Sequence, residues 1–353
     1  MVVSVLFAAY GEGYRQYGGV PGEAAIRLLG MQAYLQGRRE KTLKEKLDAE
    51  RKQQTEGRER MRRIRQMRLG ADYVLFMGPA IILFSLIFLY PLITEFIYSF
   101  TDWNGIDPTF KFVGLTQYKK VFRDTKFWQS MWFTIKFSLV VVTLSNLIGF
   151  IWAFILSKNI PYRNFFRALI YIPRVIGGVV LGYLWRFIIQ NVFPKIGEIT
   201  GIAWFSQSWF ATPESSFWAL VIVMTWSLSG YLMIIYGSGL ASIDNVYMEA
   251  ASIDGANSVQ RLFRITLPML RPTITRCLFI AINWAMLLYD TNISLTNGNP
   301  FRSSEGVTLN IFVTAFSNNR LAFGAAKCMV FILIVAAISI GQYSATSKKE
   351  VSL

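Results

Sequence analysis

From about residue 70 onward the apolar positions come in long unbroken runs instead of one-sided periodic faces. Six runs reach or approach the ~20 residues a helix needs to cross a bilayer core. They predict spans at roughly 73–99, 133–157, 165–190, 216–241, 273–294 and 322–344. Pro79 and Pro91 bracket much of the first run, which predicts a kink or break there. The third run carries Pro173 and the pair Gly177-Gly178, a second place for a bend. Before the first span the pattern is different. Arg38–Arg68 mixes Lys, Arg and Glu with no sustained apolar face, and predicts a solvated or lipid-surface helix or a flexible tail. Met61 and Met67, near its end, offer alternative starting points for the chain. The fold class is therefore all-α and polytopic. A charged N-terminal extension covers residues 1–68, a six-span domain 69–347 and a short tail 348–353.

Loop charge sets the orientation. Arg62, Arg63, Arg65 and Arg68 abut the first span. Lys158 and Arg163 lie in the second connection, Arg261, Arg264 and Arg271 in the fourth, and Lys348 and Lys349 in the tail. These positions belong inside, which puts both termini in the cytoplasm. The 100–132 connection breaks the rule with Lys119, Lys120, Arg123 and Lys126, but it also holds Asp102, Asp107 and Asp124. Trp103, Trp128, Trp132, Trp204 and Trp209 fall near proposed span ends, as an interfacial belt requires.

Composition narrows the chemistry. Hydrophobic residues make up 53% and charged residues only 16%, and mean hydropathy is +0.38. The net charge of +15 sits mainly before residue 70 and in short loops, which fits topology and anionic headgroups better than nucleic acid. Histidine is absent, which removes His-based acid–base chemistry, proton relays and metal ligands. Cys277 and Cys328 both lie inside apolar runs, with no metal or disulfide spacing, and read as packing residues. Met1–Tyr10 is apolar but lacks the basic start of a cleaved signal.

The 242–272 connection is too long and too patterned for a simple loop. Asp244 can cap a short helix over Asn245–Ser252, and Asn257 with Gln260 forms a capping-box pair that opens a second helix. Gly255 marks the reversal between them, and Pro268 and Pro272 are expected to end the second helix. Ala250, Ala251 and Ala256 permit close approach, while Glu249, Asp254, Arg261 and Arg264 supply charge. On pattern alone an amphipathic segment resting on lipid fits equally well.

The residues themselves carry more. Glu249-Ala250-Ala251, then Gly255 after three residues, then Ile265-Thr266-Leu267-Pro268 after nine, has the form of the EAA signature of ABC importer permeases. The full string YMEAASIDGANSVQRLFRITLPMLRP resembles the carbohydrate branch of these binding-protein-dependent permeases, which includes maltose and multiple-sugar systems. FVGLTQYKKVF (112–122), YIPRVIGGVVLGYLWRFI (171–188) and YDTNISLTNGNP (289–300) are similar to segments of the same family. Asn299 stands where the family usually has a second Gly. The likeness covers about residues 70–345.

This resemblance implies a type I importer permease core and an ATPase-coupling role for Glu249, Ala250, Ala251, Asp254, Gly255, Ala256, Arg261, Leu267 and Pro268. Lipid contact or topology is the competing role for Arg261 and Arg264. It implies a second permease subunit, two ATP-binding-cassette ATPase subunits and an extracytoplasmic solute-binding protein. Gly11, Gly13, Gly18 and Gly19 cluster, but nothing of the form G-x-x-x-x-G-K-[ST] follows, so ATP and magnesium are expected on the partners and no cofactor on this chain.

A sugar path needs polar and aromatic groups inside the bundle. Thr225, Trp226, Ser227, Ser229, Asn283, Trp284 and Asp290 qualify by position. Helix–helix hydrogen bonding competes as a role for Thr225, Ser227 and Ser229, packing for Trp226, Asn283 and Trp284, and capping or an outer gate for Asp290. Lys136, Arg174 and Arg186 require pairing or snorkelling and receive no role. Three other readings stand beside the sugar permease: an ABC permease for another solute, an ion-coupled transporter, and a membrane enzyme. The second predicts central acidic or His relays and the third clustered carboxylates or an activated nucleophile.

Overall fold

The computed structural model describes residues 23–158 and 160–347. Met1–Tyr10, the Gly11–Gly19 cluster and the Lys348-Lys349 tail lie outside the described residues, as do the side chains of the arginines before the first span. The chain divides into two compact units, Met1–Leu89 and Tyr90–Leu353. The first is one long helix, α1 (Glu23–Phe84), ending in a π-helical turn, Ser85–Leu89. The charged stretch is thus helical, and its described side chains between Gly30 and Gln53 are exposed. Pro79 lies inside α1 without ending it.

The second unit holds the bundle. It opens with α2 (Tyr90–Tyr98), a single bridge between Thr101 and Phe112, and α3 (Thr116–Arg123). Next is α4 (Thr125–Ser157), which starts earlier than the apolar run implies. The reason is local: Asp124 accepts from the Lys126 and Phe127 amides and caps the helix there. The following span is broken into α5 (Arg163–Ile176) and α6 (Gly178–Phe187), which continues through a π turn, Ile188–Val192, into α7 (Phe193–Thr200). The two halves meet at 101°. Gly177 makes the bend, with φ +85° and ψ 151°, a backbone that costs L side chains more than glycine.

After the one-turn α8 (Ala203–Ser206), α9 (Pro213–Ala241) is capped by Thr212. Phe133 meets Phe217, and Gly149 lies against Leu232 and Met233. Hence α4 and α9 run parallel, and the broken segment between them makes the return crossing. A Cβ on Gly149 would lie 2.9 Å from the Ser229 carbonyl oxygen, so glycine permits this close helix crossing. The Tyr236 hydroxyl donates to Asn146 Oδ1 across the same seam at 2.8 Å. The connection after α9 holds α10 (Asn245–Ile253), α11 (Ser258–Arg261), a π turn over Leu262–Thr266 and α12 (Leu267–Met269). A 69° bend then leads into α13 (Arg271–Met286).

The fifth span differs from the expected 273–294. Helix α13 stops at Met286, and Asp290–Leu295 is a separate half-helix, α14. It packs on α6, where a Cβ on Gly178 would lie 2.7 Å from Asp290 Cβ and one on Gly182 would collide with Ser294 Oγ. Chain connectivity cannot reveal such a break, because tertiary contact with α6 and the loop beyond α14 holds it. After that loop come α15 (Val307–Phe312), a π turn (Val313–Ser317) and α16 (Leu321–Ser347). α16 runs antiparallel to α13, with Ser339 beside Asn283 and Gln342 beside Thr275. The described residues form no β-strand. Among the described residues four single helices, Leu75–Tyr98, Thr125–Ser157, Pro213–Ala241 and Leu321–Thr346, are long and apolar enough to cross a membrane, and the number is up to six if each bent pair counts as one span.

Candidate functional site: a two-helix coupling segment and the polar bundle

The segment after α9 is built from local signals. Asp244 accepts from the Val246 amide and opens α10. The helix closes in a Schellman arrangement: Ala256 N–H donates to the Ala251 carbonyl and Gly255 N–H to the Ser252 carbonyl. Gly255 has φ +76° and open space around it, so its glycine character serves the backbone and not packing. The expected capping box is present, with Gln260 N–H donating to Asn257 Oδ1 at 2.8 Å and Asn257 N–H to Gln260 Oε1 at 2.9 Å.

Pro268 does not end the second helix as expected. It has no N–H, so the chain shifts to a π register in which Leu267 N–H reaches the Leu262 carbonyl. The break falls at Leu270, and Pro272 starts the next helix.

The predicted coupling residues divide by exposure. Glu249, Ala250, Asp254 and Gly255 are exposed, Ala251 is buried, and Ala256, Arg261, Leu267 and Pro268 are half-buried. The Glu249 carboxylate bonds no group among the described residues. Arg261 is engaged inside the segment: Nη1 donates to Ser252 Oγ at 2.8 Å and Nη2 lies 3.5 Å from Ser258 Oγ. It clamps α10 to α11 and fixes the angle at which Glu249 is presented.

The predicted path residues also separate. Thr225, Ser227 and Ser229 are buried in α9. Ser229 donates to the Trp226 carbonyl at 3.1 Å, and the Trp226 ring packs edge-on against Trp185 with centroids 5.5 Å apart. Asn283 donates to the Phe279 carbonyl of its own helix at 2.8 Å. These are contacts within and between helices of this chain; Trp226 and Asn283 remain half-buried. Trp284 and Asp290 are exposed. The Arg174 guanidinium stacks 3.6 Å from the Trp284 ring centre and 5.3 Å from Tyr231. Arg174 lies three residues before the Gly177 break, and Asp290 lies against Gly178 just after it. The structure therefore brings a cation, two aromatics and a carboxylate to the break in the third span. The sequence placed Arg174 in a span and could not show its partners.

At the opposite end of the bundle from the coupling segment is a network the sequence did not reveal. Lys327, nearly fully buried in α16, lies 2.8 Å from Asp124 Oδ2. Its ammonium also donates to Asn310 Oδ1 at 2.8 Å and Thr314 Oγ1 at 2.9 Å. Asn310 Nδ2 in turn donates to the buried Glu305, which meets Arg302 at 3.4 Å. Burial alone would raise the Asp124 carboxyl, but the hydrogen bond and charge of Lys327 outweigh it, with help from the Phe127 and Lys126 amides, and hold it below its ordinary value of 3.8. Burial pushes Glu305 up, partly offset by Arg302, Asn310, Lys327 and Lys126. Asn292, fully buried, organises the adjoining loop. It donates to Thr296 Oγ1 and the Ser304 carbonyl and accepts from the Gly306 amide. The Val307 amide donates to Thr134 on α4 at 2.9 Å. Beside this network, Gln129, Trp132, Lys136, Glu214 and Trp218 line an open groove of about 410 Å3. The one available hint was the surplus of both charges in the 100–132 connection.

A broken-helix bundle with an exposed two-helix segment on one face is the architecture of a transport permease. The family model for binding-protein-dependent transport system inner membrane components matches residues 145–345, and this chain belongs to that family. The probable starch degradation products transport system permease protein of Thermoanaerobacterium thermosulfurigenes is 40% identical over 80% of this chain and 97% of its own length. The multiple sugar-binding transport system permease protein of Streptococcus mutans is 30% identical over 78% of this chain and 95% of its own. Among solved structures, a bacterial ABC transporter involved in the import of the acidic polysaccharide alginate superposes with a TM-score of 0.69 at 19% identity. The match covers 79% of this chain and 97% of that one, and it supports the fold.

Proposed function

We propose that the chain is a membrane-spanning permease subunit of an ATP-binding-cassette importer for a sugar or oligosaccharide. The observation that carries this reading is the exposed Glu249, which bonds no group among the described residues, on a Schellman-terminated helix in a chain of this family. A second permease completes the translocation path. Two ATPase subunits hold ATP and magnesium, and an extracytoplasmic solute-binding protein delivers substrate. The chain itself performs no catalysis. The coupling segment faces the cytoplasm, as do both termini.

In this reading Glu249 contacts one ATPase, and Gly255 lets the two helices reverse within one turn. Arg261 holds their angle, so nucleotide-driven closure moves the segment as one body and tilts the spans attached to it. Substrate passes the break in the third span, where the aromatic face of Trp284, the guanidinium of Arg174 and the carboxylate of Asp290 suit sugar C–H surfaces and hydroxyls.

The test is co-purification followed by uptake in vesicles. The chain is expected to bring down ATPase subunits and to take up sugar from its binding protein only with ATP. Glu249→Ala and Gly255→Val are expected to abolish uptake while the protein stays in the membrane. Wild-type chain that brings down no ATPase, or undiminished uptake in both variants, would sink the proposal.

A further inference from the structure

Where α4, α5 and α9 meet the coupling segment they enclose a groove of about 690 Å3. Its charged lining is Lys158, Arg163, Arg167 and Arg261, with no carboxylate among the described lining residues. Two of these cations are engaged: Arg167 Nη2 donates to the Leu156 carbonyl at 2.9 Å, and Arg261 clamps Ser252 and Ser258. The other two, Lys158 and Arg163, are exposed and have no carboxylate partner among the described residues. Four like charges around one groove repel one another unless an anion joins them. Phe154, Leu240 and Leu262 line the same groove with apolar surface, and the Lys158 ammonium lies 5.5 Å from the Phe154 ring. Lys158 directly follows the last residue of α4, and Ala241, also in the lining, is the last residue of α9. The groove is therefore level with the ends of two membrane spans, the depth of headgroup phosphates.

We propose that this groove binds the phosphate headgroup of an anionic phospholipid, held by Lys158 and Arg163, with its acyl chains along the apolar lining. A free phosphate would satisfy the cations but leave the apolar surface uncovered, and a lipid satisfies both. Because Asn245, Met248, Ser258 and Arg261 of the coupling segment line the groove, the bound lipid steadies the seat from which that segment is driven. The inference rests on the cytoplasmic placement of the segment given above.

The test uses the complete importer, purified with its partners. Lipid retained by the complex is counted by native mass spectrometry, and uptake is measured in vesicles of phosphatidylcholine alone or mixed with phosphatidylglycerol. The wild type is expected to retain phosphatidylglycerol selectively and to transport faster in the mixed vesicles. Lys158→Gln and Arg163→Gln are each expected to weaken that retention about fivefold and to remove the advantage of mixed vesicles, leaving uptake in phosphatidylcholine unchanged. Lys158→Arg should retain lipid normally. Equal retention in wild type and Gln variants would overturn the proposal. So would inorganic phosphate replacing phosphatidylglycerol in phosphatidylcholine vesicles, which marks a free-anion site, or loss of the ATPase from the Gln variants, which marks a protein contact. Failure of the importer reading looks different: wild-type chain would arrive without any ATPase, while its lipid retention could still be counted.

Discussion

At one end of the bundle Glu249 stands exposed on a helix held by its own caps; at the other, Lys327 is buried among groups contributed by two other stretches of chain, at Asp124 and at Asn310 to Thr314. The coupling segment spends its polar groups locally. Asp244, Asn257, Gln260 and Arg261 bond within about ten residues of themselves, and Glu249 bonds nothing among the described residues. The far end spends them at long range. Lys327 joins α16 to the cap of α4 and to α15, and Thr134 holds the start of α15. In the proposed function this segment docks on an ATPase, and such a segment gains from a rigid shape with unspent charge. An end that holds broken helices in place gains from pairing its buried charges, because lipid offers no substitute partner.

That contrast can be broken by mutation, and the largest effect belongs to the far end. Lys327→Met leaves Asp124 without its cation and is expected to destabilise the bundle by about 3–5 kcal/mol, read as a lowered melting temperature in detergent. Asp124→Asn in the same chain should recover part of the loss, since Asn keeps the helix cap. No recovery would show that Lys327 acts through Asn310 and Thr314 instead. Next comes the α6–α14 contact. Gly182→Ala drives a methyl into Ser294 and should cost about 1–3 kcal/mol. The pair Gly182→Ala/Ser294→Gly should restore the melt, unless the half-helix is held mainly by Asn292.

Smaller still in stability, and opposite in consequence, is Glu249→Ala. It removes no bond among the described residues and should shift stability by less than about 0.5 kcal/mol while uncoupling ATPase stimulation from transport. A marked fall in melting temperature would contradict the contrast itself.

The subtlest discriminator is pH. Asp124 is held below 3.8 when folded, so its contribution is present above the unfolded pKa and disappears as pH falls through the folded value. Glu305, raised by burial, works in the other sense: its contribution is complete below its unfolded pKa and is lost as pH rises through the folded one. Melts taken through the acid range should therefore show in the wild type a loss below pH 3.8 that Asp124→Asn lacks. Coupling-segment variants should leave that profile unchanged.

The helical class, the positions of most spans, the bend at Gly177 and both caps of the coupling segment were legible in the amino-acid order. Each depends on neighbours within a few residues: apolar run length, a missing proline N–H, or a side chain reaching an amide two or three positions on. The same locality explains why the two-helix segment could be read in advance. What the order of residues left open was decided between elements. Nothing near Met286 in the chain announces that α13 stops there, because the reason lies in the contact with α6 and in the bonds of Asn292 to a loop more than ten residues away. Lys327 reads as one charge in an apolar run until folding brings Asp124, about two hundred residues earlier, within hydrogen-bond reach. Polarity is visible in a sequence while facing direction is not: the tertiary structure buries Thr225 and Ser229 in α9 and leaves Asn283 half-buried. Backbone geometry and capping are short-range and survive translation from sequence. Burial and charge pairing depend on which distant surfaces meet, and only the tertiary structure settles that.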